Sequence, residues 1–88
     1  MPRNRDPLRY AFHRATPWFV AGRWLALGET LDPLAEALAC PQAVAVRVGL
    51  CRAPQEGEAL DAWTRTIAEY AGVDVERVRQ VAYRIAMT

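Results

Sequence analysis

Two stretches near the C-terminal end carry apolar residues at helical spacing and are separated by only three residues. Leu60, Trp63, Ile67 and Ala71 recur at three- and four-residue steps. Val78, Val81, Ala82 and Ile85 do the same after the link Gly72-Val73-Asp74. So short a link cannot carry the chain out and back along a parallel path. The two helices must cross sharply and bury their stripes together. Gly72 tolerates the left-handed backbone that ends a helix, Val73 plugs the angle, and Asp74 stands where a cap for the next helix belongs. Ala68 is small enough to let that helix approach. The corner sets the fold class: all-α, with a compact core built on these two helices.

The rest of the 88-residue chain supplies shorter helices. In "ATPWFVAGRWLALG" Thr16 can cap a helix, Pro17 suits its first position and Gly28 its exit. Trp18, Val20, Ala21, Trp24, Leu25 and Leu27 surround nearly the whole cylinder, so this helix is either central or half exposed for a partner. The same punctuation recurs in "LDPLAEALAC", with Asp32 as cap and Pro33 first in the helix. Val44, Val46, Val48 and Leu50 alternate as in a strand, while Val44, Val48 and Cys51 also line one side of a helix. No second alternating run exists to pair with a strand, so helix is preferred over 43–50. Pro54 and Gly57 mark a loop. Residues 1–14 read as an irregular basic lead-in, and 15–88 as one helical domain, a bundle of about five short helices. A chain of this length closes only a modest core.

The segment "TRTIAEYAGVDVERVRQVAY", residues 64–83, resembles the helix-turn-helix of the lactose-repressor class of bacterial regulators. The resemblance rests on Ala68, Gly72 and Asp74 and on apolar Ile67, Val73, Val78 and Val81. It implies DNA contacts at Val75, Glu76, Arg79, Gln80 and Tyr83. The helical wheel independently turns Glu76, Gln80, Tyr83 and Met87 outward, with Arg79 and Arg84 at their flanks. Arg and Gln there suit paired hydrogen bonds to base edges, and Arg3, Arg5 and Arg9 would serve as an arm against phosphate. The charge balance argues the other way. Eleven arginines, no lysine and ten acids leave +1 overall. Residues 1–23 carry five arginines against one acid and residues 24–63 two against six, so residues 64–88 hold only +1, with four arginines against three acids. Glu76 would meet phosphates unfavourably. A corner that serves folding alone is therefore the preferred reading, and DNA binding the alternative.

Chemistry has little to work with. His13 is the only histidine, and ten residues separate Cys40 from Cys51, a spacing unlike the close ligand pairs of structural zinc. Those cysteines read as small apolar fillers. Without lysine there is no Walker-type phosphate site. Glu56, Glu58 and Asp61, and Glu29, Asp32 and Glu36, read as solvated acids. No catalytic, cofactor or metal site is expected, and no small-molecule substrate is implied. The longest nearly uncharged run spans about 13 residues, short of the ~20 a membrane crossing needs, and no secretion signal is evident, so a reduced cytoplasmic setting is expected. Function then falls to surfaces. The expectation is a small interaction or adaptor protein, probing a protein partner or its own copy as a homodimer through Trp18, Phe19, Arg23 and Trp24, with Arg14 at the rim.

Overall fold

A computed structural model describes residues 7–86, and among them six helices form an all-α bundle. These are α1 (Pro7–His13), α2 (Val20–Ala26), α3 (Leu31–Leu38), α4 (Gln42–Gly49), α5 (Leu60–Ala71) and α6 (Val75–Ala86). None is long and apolar enough to cross a membrane.

The C-terminal corner folds as its spacing predicts. Gly72 takes up a left-handed conformation (φ 70°, ψ 34°). Its N–H and that of Val73 both donate to the Ala68 carbonyl, at 2.8 and 3.1 Å, which closes the end of α5. Asp74 then accepts the Val78 N–H through its main-chain carbonyl at 3.1 Å, opening α6. The stripe Val78, Val81, Ala82 and Ile85 is buried. On α5 the buried set is Trp63, Thr64, Ile67 and Ala68, whereas Leu60 and Ala71 are only half covered. Thr64 is admitted to the core because its hydroxyl donates to the Leu60 carbonyl at 2.7 Å.

The region expected to be an irregular lead-in is helical from Pro7 to His13. Phe12 is its single buried residue and seats the helix. The ring lies so close over Gly49 that a Cβ there would fall 2.4 Å from it, with Ala21 alongside. One anchor in seven residues leaves no periodicity to read, which is why the helix is invisible in the pattern. The arginine arm proposed at Arg3 and Arg5, like Met87, lies outside the described residues; Arg9 is in α1 and donates to the side chain of Gln42 on α4.

α2 begins at Val20, later than Thr16 and Pro17 suggest. Residues 16–19 instead form a turn, and the following backbone pairs with the segment after α4. The Val20 N–H donates to the Cys51 carbonyl at 3.0 Å and the Ala53 N–H to the Trp18 carbonyl at 2.8 Å, an isolated antiparallel bridge between Phe19 and Arg52. Gly22 makes this possible: a Cβ on it would stand 1.9 Å from the Thr16 carbonyl oxygen. α3 likewise starts at Leu31 after Thr30, so Asp32 lies inside the first turn and its carboxylate accepts from the Gln42 amide rather than capping. Residues 42–49 are helical, as preferred.

At the centre stands Trp24, fully enclosed, its indole N–H donating to the Thr30 carbonyl at 2.8 Å. Phe12, Val20, Leu34, Leu38, Val48, Val78, Val81 and Ile85 complete the core. Two glycine-related positions give opposite predictions. Gly22→Ala forces the Thr16–Pro17 turn off α2 and is expected to cost more than about 2 kcal/mol in urea unfolding, the scale of an overpacked core. Ala39, which ends α3 with φ 52° and ψ 49°, is strained by roughly 1–2 kcal/mol. Ala39→Gly relieves that against about 0.5–1 kcal/mol of unfolded-state entropy, so a net gain below about 1 kcal/mol is expected in the same measurement.

Candidate functional site

The four residues expected to meet a protein partner divide in the fold. Trp18 is 53% exposed, although its main chain is locked by the bridge to Ala53. Phe19 is half buried opposite Arg52. Arg23 is half buried and folds back, its Nε donating to the Pro17 carbonyl at 3.1 Å. Trp24 is removed from the set, because it has no exposed surface and the Arg84 guanidinium lies 4.8 Å over its ring. The late start of α2 is the cause: Val20, Ala21 and Trp24 turn to one side and enter the core, while Trp18 stays in the turn outside it. Leu8, Tyr10 and Phe12 are all able to pack on the body by sequence, but only Phe12 does so, and Leu8 and Tyr10 of α1 are exposed. A signal for the latter was present in the four-residue spacing of Tyr10 and Arg14. The Arg14 guanidinium stands 5.4 Å over the Tyr10 ring and donates to its hydroxyl at 3.2 Å.

The residues that the helix-turn-helix resemblance assigns to DNA lie on the outer side of α6, but their charges are committed elsewhere. Arg79 keeps 24% of its side chain exposed and is paired with Glu76 and, at 3.4 Å, with Asp61 of α5. The hydrogen bond that its guanidinium donates to Glu76 leads the causes that raise its pKa. Arg84 is ion-paired with Glu29 at 3.0 Å while it covers Trp24. Val75 is half buried, whereas Glu76, Gln80 and Tyr83 are exposed. Beside the corner, Arg65, Ala68, Glu69, Val73, Val75 and Arg79 line a cleft of about 320 Å³. The charged residues on α5, α6 and their link are Asp61, Glu69, Asp74 and Glu76 against Arg65, Arg77, Arg79 and Arg84. Acids and arginines are equal in number there, which gives phosphate no net attraction.

The groups with chemical potential stay apart. Among the described residues no three His, Cys, Asp or Glu side chains stand where they could hold one metal ion. His13 is exposed, with Nδ1 2.9 Å from the Arg9 carbonyl oxygen. Cys40 and Cys51 are free thiols, and burial raises the pKa of both, which lowers their thiolate content. Of the acidic loop, Glu58 takes a two-pronged ion pair from Arg52 at 2.7 and 2.8 Å and the Gln55 N–H at 2.9 Å. The Arg52 carbonyl in turn accepts the Trp63 indole N–H at 2.8 Å. This cluster ties the segment carrying the Trp18 bridge to α5.

Searches of family models, curated proteins and solved structures return no match to the chain.

The Arg52 bond first, then the Gln55 N–H, hold the Glu58 carboxyl at about 2, below its ordinary value of 4.5. A carboxyl depressed on folding stabilises fully above its unfolded pKa and loses that contribution as pH falls through its folded one. Glu58→Gln is therefore expected to melt at a lower temperature than the parent protein at neutral pH. The gap narrows below about pH 4.5 and closes near pH 2, as followed by circular dichroism.

Proposed function

We propose that this chain is a non-catalytic protein-docking domain that engages a protein partner through the surface around Trp18. The observation that carries this reading is the state of Trp18 itself: a large aromatic side chain held in solvent by a main chain that cannot move away. The Trp18 carbonyl itself accepts one hydrogen bond of the Phe19–Arg52 bridge, the Val20 N–H donates the other, and the Arg52–Glu58–Trp63 cluster braces the opposite segment. An exposed aromatic on a flexible loop would pay ordering entropy on binding; one already fixed in place does not. Tryptophan and arginine dominate the energetic centres of protein interfaces; Phe19 follows Trp18 in the turn, and Arg23 of α2 folds back onto the Pro17 carbonyl next to it. A soluble, cytoplasmic adaptor is the setting this reading implies.

The alternative is a regulator that places α6 on duplex DNA. The sharp bend at Gly72 and the outward Gln80 favour it. Its cost is electrostatic, since Arg79 and Arg84 would have to leave Glu76, Asp61 and Glu29 before touching a base or phosphate.

Two measurements separate these readings. In affinity capture from the native host, the expected result is a partner retained by the parent protein and lost with Trp18→Ala, while Arg79→Ala retains it. Identical retention by both variants would remove the docking reading. In a gel-shift at low salt with random duplex DNA, no retardation is expected at micromolar protein. Retardation that disappears with Arg79→Ala would establish the DNA reading instead.

A further inference from the structure

The outer side of α5 is prepared for a second helix. Trp63, Thr64, Ile67 and Ala68 turn inward, which places Ala62, Arg65, Thr66 and Glu69 together on the exposed side. Ala62 and Thr66 are short enough to let another helix come close, within the ~8–10 Å of ordinary helix packing. Arg65 and Glu69 stand one turn apart and form no ion pair, with each other or with any described residue. Arg52, Arg79 and Arg84, by contrast, are all paired.

The order of these charges is self-complementary. A copy of α5 laid antiparallel across the first, with the two-fold axis at the level of Ile67, brings Arg65 of each protomer opposite Glu69 of its partner. Both pairs form together, as an isologous interface requires. The same operation settles Tyr70, which is 59% exposed. It flanks the strip on the side where Ala62, Trp63, Thr66 and Ile67 line a cavity of about 180 Å³, with Arg52 and Glu58 at its end. A two-fold axis perpendicular to α5 keeps Tyr70 of the partner on that side and lowers it to the level of Trp63 and Thr66, over the cavity.

We propose that a second copy of this chain docks antiparallel along the outer face of α5, held by two reciprocal Arg65–Glu69 pairs and by Tyr70 seated over the partner's cavity. The interface uses none of Trp18, Phe19 and Arg23 and does not rest on the docking reading above, although Arg52, Glu58 and Trp63, which brace the Trp18 bridge, also line the cavity. A helix of twelve residues is only ~18 Å long, so the buried area falls well below the ~1,600 Å² of a stable complex. The dimer is therefore weak and reversible, and it weakens further with salt because the paired charges sit at the rim.

Sedimentation equilibrium of the full chain at low salt, up to about 1 mM, is the test; that range covers affinities of the weak class. A concentration-dependent dimer is expected. Arg65→Glu and Glu69→Arg should each weaken it about tenfold or more, because each places like charges opposite one another. An equimolar mixture of the two variants should dimerise again, since their charges are then complementary across the interface, and the double exchange R65E/E69R should restore the homodimer. Both positions are exposed, and recovery on mixing is itself proof that the variants are folded. A strict monomer throughout the range, a dimer indifferent to Arg65→Glu, or variants that fail to recover on mixing would each overturn the proposal. So would a dimer lost only with Trp18→Ala, which would place self-association on the other face and leave the Trp18 reading standing.

Discussion

The enclosure of Trp24 is the constraint on which the bundle depends. A bundle this small cannot bury an indole by thickness alone, so three elements close around one ring. α2 carries it, the Thr30 carbonyl before α3 takes its N–H, and Arg84 of α6 lies across its face while held by Glu29. Without the Thr30 bond the indole N–H would be buried unsatisfied, at a cost of roughly 1–3 kcal/mol. The same arrangement explains why Arg84 is not a free cation. Its guanidinium completes the core from outside, as an amphipathic side chain does when its stem and plane cover apolar surface.

With Trp24 inside, the chain before it has to be carried over α2, and Gly22 supplies the room. The Thr16–Pro17 turn presses on that glycine, the bridge to residues 51–53 continues from it, and the Arg52–Glu58 pair holds the bridge against α5. Trp18 is exposed as a consequence of this sequence of contacts. A helix starting at Pro17 would have rotated Trp18 with the rest of the cylinder. Because the turn intervenes, Trp18 and Trp24 are decoupled, one surrendered to solvent and the other to the core.

This also marks what was legible in the sequence. The α5–α6 corner was, since its apolar spacing, its glycine and its short link all demand one geometry. The helix at 42–49 was legible by elimination, for want of a partner strand. Composition could also tell that the apolar cylinder around Trp18 and Trp24 was too greasy to bury whole. Which tryptophan would be buried was not legible. That depends on Gly22 receiving the Thr16 carbonyl and on Cys51 and Ala53 pairing with Val20 and Trp18, far back in the chain, and neither contact leaves a local pattern. α1 was hidden for a similar reason, because the one buried side chain it sends inward is Phe12, against Gly49. The caps expected at Thr16 and Asp32 mislead alike: a residue able to cap does so only where tertiary contacts do not employ it first, and the Asp32 carboxylate is taken by Gln42.

The distribution of charge finally bears on which surfaces are available. An arginine that already answers a carboxylate offers a new ligand only the difference between two partners, and an exposed pair of that kind is worth about 0–1 kcal/mol. Arg52, Arg79 and Arg84 are all answered within the chain. The acids outside those pairs, Glu69 among them, are not drawn toward a polyanion. Phosphate would meet Arg79 and Arg84 already held by carboxylates, on a corner where acids and arginines are equal in number. A protein surface does not have that difficulty, because it supplies both signs of charge together with apolar area. The physical balance therefore favours an apolar anchor with mixed charges at its edge, the composition found both around Trp18 and along the outer strip of α5.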